Sequence, residues 1–420
     1  MQEEILQFVW GHKLFNHKHL KTNSGEEIII LNQGSLNTIA GPDFIAARIR
    51  IGDHQWAGNV EIHSKSSDWF KHGHQNDKAY NNVILHVVFD HDMEVSLENG
   101  EQPFTLSLNG IVPKHIFDNY LDLKSNKASI PCSDQLKFVP NIVKEQWKNR
   151  LLIERLERKS TDVLEILKES NGDWLQTFYS LFSGYLGQNT NKQPFRELAQ
   201  ILPLKLLLKY QDNRLQIEAM LFGVANLIPE KDDDYAEALK KEYAFLKQKH
   251  ELTQVHSHWI FGGVRPQAMP YRRVAFLAAA VETLGDFRSS LINDLKINFF
   301  DSLELSEYWK RRYVFGIEPK SKVYSFGDSF KLLIHVNVLA PYIYGFGVET
   351  DQQELKDRAI DLLETNPPEK NAIITKWSGL GEECVNAAES QALIELKTSF
   401  CNLKKCVLCN IGKSILSIES

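Results

Sequence analysis

Along the first third of the chain, the spacing of apolar positions alternates between helical and strand-like. In "EEILQFVWGHKLF" (3–15), Ile5, Leu6, Phe8, Val9 and Leu14 fall on one helical face. The turn signal "NSGE" leads into "EIIILNQG", a strand closed by Gly34. "DFIAARIRI" reads as a second strand, "GDHQ" as a hairpin turn and "WAGNVEIHSK" as a third strand. "SSDWFKHGHQNDKAY" opens like a helix or turn, with Ser66, Ser67 or Asp68 as N-cap. "NNVILHVVFD" is a continuous apolar run, the pattern of a buried strand. "MEVSLENGEQPFTLSLNG" predicts a hairpin around Asn99-Gly100. The predicted order is helix, three strands, short helix, buried strand and hairpin, an α+β domain with a mixed sheet.

From about Asn141 the period becomes helical. "VKEQWKNRLLIERLERKSTDVLEILKES" is a long amphipathic segment, and "DWLQTFYSLFSGYLG", "FRELAQILPLKLLLKY" and "LQIEAMLFGVANLI" follow, closed by Gly, Pro or polar residues. The stretch "SNKASIPCSDQLKFVPN" (125–141) marks the change. The expected division is an α/β domain over 1–135 and a mostly α-helical region over 136–420, divisible into 136–245 and 246–420.

The 48 basic and 54 acidic residues leave a net charge of −6, so no global basic field attracts nucleic acid, although a local basic groove is affordable in composition. The N-terminus lacks the pattern of a secretory signal, no apolar run is of bilayer length, and five cysteines are spread over a long chain. The expectation is a cytoplasmic protein without membrane contact, its thiols free or metal-bound.

The candidate chemistry lies in the first domain. Residues two apart on a strand share a face, so Glu61, His63 and Lys65 point the same way, and hairpin pairing through "GDHQ" brings Asp43 toward Glu61. Two converging carboxylates suit a hard divalent ion, Mg or Mn. An adjacent imidazole or amine would orient water or steady charge on phosphate.

A helix, a strand, a strand opening "PD" and a strand carrying "E-x-H-x-K" resemble the PD-(D/E)xK nuclease core. The resemblance implies a restriction-endonuclease-like fold, with Asp43 and Glu61 as metal-binding acids and Glu3 or Glu4 as an accessory acid on the first helix. The slot normally filled by lysine holds His63, with Lys65 one strand period further on. A second resemblance spans nearly the whole chain. "GPDF", "GNVEIH", "ERLERKS", "EAMLFG", "RP-x3-P-x2-R" and "C-x4-C-x2-C-x-IG" are similar to a bacterial family catalogued as a domain of unknown function.

Two further sets of ligand-type residues stand out. His72, His74, Asp77 and His86 follow the third strand, and His-x-His with an acid is capable of holding a transition metal. Cys401, Cys406 and Cys409 lie within one short segment, with Cys384 as a fourth thiol for zinc or an iron–sulfur cluster, or else as small buried residues. Among basic stretches, "NRLLIERLERKS" reads as intrahelical ion pairs, while "VRPQAMPYRR" and "WKRRY" are better candidates for a groove. Together these features predict a metal-dependent nuclease. The alternatives are a nucleic-acid- or protein-binding scaffold that kept the fold without the chemistry, or a metal-binding protein centred on the C-terminal cysteines.

Overall fold

A computed structural model of the chain describes residues 2–230, 233–286, 303–320, 323 and 327–419. The chain forms two compact units. One comprises Met1–Trp147 with Leu396–Ser420, and the other Lys148–Glu395. The first break falls at 147/148, against the expected 135/136, and the last segment of the chain groups with the first unit.

The first unit carries a mixed seven-stranded sheet. Helix α1 (Glu3–Gly11) has two acids in its first turn, where the helix dipole favours them, and buries Ile5, Leu6, Phe8, Val9 and Trp10. Strands β1 (Leu20–Lys21), β2 (Glu27–Asn32), β3 (Ser35–Leu36), β4 (Phe44–Ile51) and β5 (His54–Lys65) follow. β2, β4 and β5 pair antiparallel in sequence, and β3 pairs with the start of β4. The β4–β5 hairpin turns at Gly52, whose φ of 57° suits a residue without a Cβ.

After β5 the chain crosses through the short helix α2 (Asp68–Lys71) to β6 (Val83–Asp90), which runs parallel to β5. Such a parallel return requires a crossover rather than a tight turn. Strand β7 (Phe104–Ser107) pairs parallel with β6. The hairpin expected around Asn99-Gly100 is therefore not formed. The chain does turn there, with Gly100 N–H donating to Leu97 O at 3.0 Å, but the residues before the turn send Val95 and Leu97 into a cluster with Trp69, Tyr80 and Val83. Burial of those side chains outweighs strand pairing.

The second unit is helical around a core that includes Phe178, Phe182, Phe195, Phe222 and Trp309. Part of its basic stretches serves that core. Arg272 and Arg273 are buried, with Arg272 donating to Trp309 O and Arg273 lying 3.9 Å over the Phe330 ring. Lys310 pairs with Glu304 and Glu307, and Arg312 lies 4.4 Å over the Tyr308 ring. Of "VRPQAMPYRR" and "WKRRY", Arg265 and Arg311 are exposed, while Arg272 and Arg273 are turned into the core. On the helix Asn141–Glu169, Arg150 pairs with Glu154 as helical spacing predicts, but Arg155 and Arg158 both reach Glu395. Among the described residues, one helical stretch, Asp328–Glu349, is long and apolar enough to cross a bilayer by length and composition, and 67% of its most apolar window is buried within the fold.

Candidate functional site

Asp43 stands immediately before β4, and Glu61 and His63 lie on the buried half of β5. Between Phe44 and Ala47 the β4–β5 register shifts, and Ala46 takes a φ of 58°. A bulge of this kind bends the strand and re-aims the side chains beside it. The Asp43 N–H donates to Glu61 Oε2 at 3.0 Å. Its own carboxylate accepts from Ile62 N–H at 3.1 Å and from Gln7 Nε2 of α1 at 2.9 Å.

Histidines surround the other oxygen of Glu61. His74 Nε2 lies 3.2 Å and His63 Nε2 3.5 Å from Oε1. His63 Nε2 also lies 3.1 Å from His72 Nδ1. His72 follows α2, and Gly73, with a φ of 78°, turns the chain so that His74 begins the next 3-10 turn. Tyr80 stacks on His74 at 3.8 Å, and Trp69 sets its edge against both His63 and His74. Among the described residues, the donor atoms of His63, His72 and His74 form a group that lies within 4.8 Å throughout, and no cysteine trio does so.

Burial and the adjacent Glu61 charge push the Asp43 carboxyl up to about 7. Burial, then His86, His74 and His72, drives the His63 pKa down to about 2, and burial with His74 takes His86 to about 3. His63 is therefore a neutral imidazole near neutrality, the form that offers a lone pair to a metal. Burial raises the Glu3 carboxyl of α1, with the His72 charge acting in the opposite direction.

Asp43, Glu61, His63, His72 and His74 thus converge. Lys65 does not join them: it is exposed at the end of β5. Glu4 turns instead to Lys124 at 2.9 Å and to Tyr120. Asp77 is an exposed cap that accepts from Ala79 N–H at 2.9 Å. Cys384 belongs to the second unit, whereas Cys401, Cys406 and Cys409 belong to the first. Gln7 was not foreseen, although it lies one helical turn from Glu3 and so shares its face. His86 acquires its place from the parallel register, which sets it beside Glu61.

A family model described as a protein of unknown function (DUF2851) matches residues 3–372, and the chain belongs to that family. No curated protein and no solved structure matches it.

Proposed function

We propose that this chain is a metal-dependent phosphodiester hydrolase acting on nucleic acid. One observation carries the reading: the Asp43 backbone N–H donates to Glu61 Oε2 at 3.0 Å, setting the two acids side by side on adjacent strands. There α1, the antiparallel β2, β4 and β5, then α2 and β6 follow in order, and β6 pairs parallel with β5. This is the arrangement that a PD-(D/E)xK core implies, and a restriction-endonuclease-like fold is part of the proposal.

The donors fit a dication. Glu61, His63, His72 and His74 would hold it, and the imidazole share favours Mn or Zn over Mg. When bound, the ion would polarise a phosphoryl oxygen and acidify its water. Asp43, raised to about 7, exchanges a proton in the range a general base needs. Gln7 and the Ile62 N–H fix the direction of that carboxylate.

A second reading, a binding scaffold without catalysis, is favoured by the burial of Glu61 and His63, which are 5% and 1% exposed. The test is cleavage of single- and double-stranded DNA and RNA with Mn, Zn or Mg. Cleavage by the wild type that is lost in Glu61→Gln supports the hydrolase, and no cleavage by folded wild type with any ion favours the scaffold.

A further inference from the structure

A cavity of about 690 Å³ opens in the second unit, and every residue that lines it belongs to that unit. The helix Asn141–Glu169 brings Arg158, Lys159 and Asp162 to it, a set that helical spacing places on one face. Tyr185 comes from the helix Trp174–Leu186. Lys192 and Arg196, one turn apart, come from Gln188–Ile201, after the break in that helix at Asn191. The π-turn His335–Leu339 adds Asn337, and single turns of this kind inside helices are frequent at functional sites.

The lining carries four cations and one acid, in a chain whose net charge is −6. Arg158 has its counter-charge already, reaching Glu395 at 2.5 Å. The other three cations do not. Among the described residues, the side chains of Lys192 and Arg196 make no ion pair or hydrogen bond. The Arg196 stem lies against Gly184, where a Cβ would stand 3.1 Å from its Cγ, so the missing side chain gives the arginine its seat on the cavity wall. Lys159 Nζ donates to Asn337 Oδ1 at 2.7 Å and to Gln391 Oε1 at 3.2 Å. Both acceptors are neutral amides, and one of the three donors of an ammonium remains. Asn337 is itself fixed by donating to Leu333 O at 2.9 Å. Burial, then the Arg155 charge, push the Lys159 pKa down to about 7, and an anion beside it would favour the ammonium.

We propose that this cavity binds a phosphorylated small molecule, with the phosphate held by Arg196, Lys192 and Lys159. A guanidinium presents a planar pair of N–H donors that matches two phosphate oxygens, and an ammonium adds a point charge. Small-molecule pockets span roughly 300–1,000 Å³, and inorganic phosphate alone would leave most of this one empty. Leu181, the Tyr185 ring and Pro341 supply apolar wall for the organic part of the ligand. Such binding requires no metal and none of the residues around Glu61.

The full-length, metal-free protein is titrated calorimetrically with inorganic phosphate, pyrophosphate, adenosine monophosphate and glucose 6-phosphate, and separately with a single-stranded DNA oligonucleotide. The expected result is one-site binding of adenosine monophosphate or glucose 6-phosphate, tighter than that of inorganic phosphate. That affinity should fall at least tenfold in Arg196→Gln and stay unchanged in Arg150→Gln, which removes the same charge from an exposed position outside the cavity lining. Binding of neither organic phosphate, or equal affinity in the two variants, overturns the proposal. An oligonucleotide that binds more tightly than both and depends on Arg196 also overturns it, in favour of a nucleic-acid surface. Should Arg196→Gln fail to fold, the exposed Lys192 decides. Lys192→Gln should weaken binding at least threefold, and an undiminished affinity overturns the assignment.

Discussion

His63 Nδ1 lies 2.8 Å from Nε2 of His86, with both rings buried. Two neutral imidazoles at this distance share one hydrogen, one ring donating and the other accepting. A second proton there would place two N–H groups face to face in a site that also desolvates the charge.

Acid should therefore destabilise the first unit through this pair. Both histidines have folded pKa values depressed, to about 2 and about 3, below the ordinary value near 6.5. Between those limits the unfolded chain binds protons that the folded chain does not. Stability is complete above about pH 6.5 and falls with decreasing pH, by about 1.4 kcal/mol per pH unit for each group. Urea denaturation of metal-free protein from pH 7.5 to 4.5 measures the slope, and His86→Leu should remove the contribution of one group. A slope unchanged by that substitution contradicts the assignment.

Lys65 and His72 should behave oppositely. Lys65 is exposed and apart from the cluster, so Lys65→Met should leave Mn(II) affinity unaltered and stability within about 0.5 kcal/mol. His72→Ala removes a donor within the triad and should lower affinity about 10- to 100-fold or more. Titration calorimetry of both variants separates a histidine-based site from one that uses the lysine.

Gly58 lets β5 and β6 approach. A Cβ there would stand 2.5 Å from Ile84 Cγ2 and 2.7 Å from the Asn82 backbone oxygen. Since backbone cannot swing aside like a flexible side chain, Gly58→Ala should cost about 1–3 kcal/mol. The same strand pairing sets Glu61 beside His86, so Mn(II) binding should weaken along with the denaturation midpoint.

In the second unit, Glu395 accepts from Arg155 at 2.8 Å and is 4% exposed. Burial, then the Arg155 charge, already pushes Lys159 down to about 7. Glu395→Ala would take from the buried Arg155 its bonded counter-charge and should cost about 3–5 kcal/mol. Replacing Arg155 with Met in the same chain should recover part of that loss, which chemical denaturation would register.

Much of this protein was legible in local pattern. The apolar face of α1, the alternation along β4 and the continuous run in β6 identified the elements, because periods of 3.6 and 2 residues report which positions face a core. Hairpin geometry placed Asp43 near Glu61, since a two-residue turn fixes register between strands adjacent in sequence. Strand parity also put Lys65 with Glu61 and His63. Parity assigns a face but not a depth, and the strand end carries Lys65 out to solvent while Glu61 and His63 are covered.

The sequence by itself determined the order of elements, the helical character of the second half and the juxtaposition of two acids, all of which follow from short-range periodicity and turn chemistry. Only the tertiary structure decided that His86 and Gln7 support the cluster and that Arg272 and Arg273 belong to a core. Those pairings join residues whose separation along the chain carries no periodic signal. They are set by which apolar faces close on one another, and the polar side chains are carried to their partners by that closure.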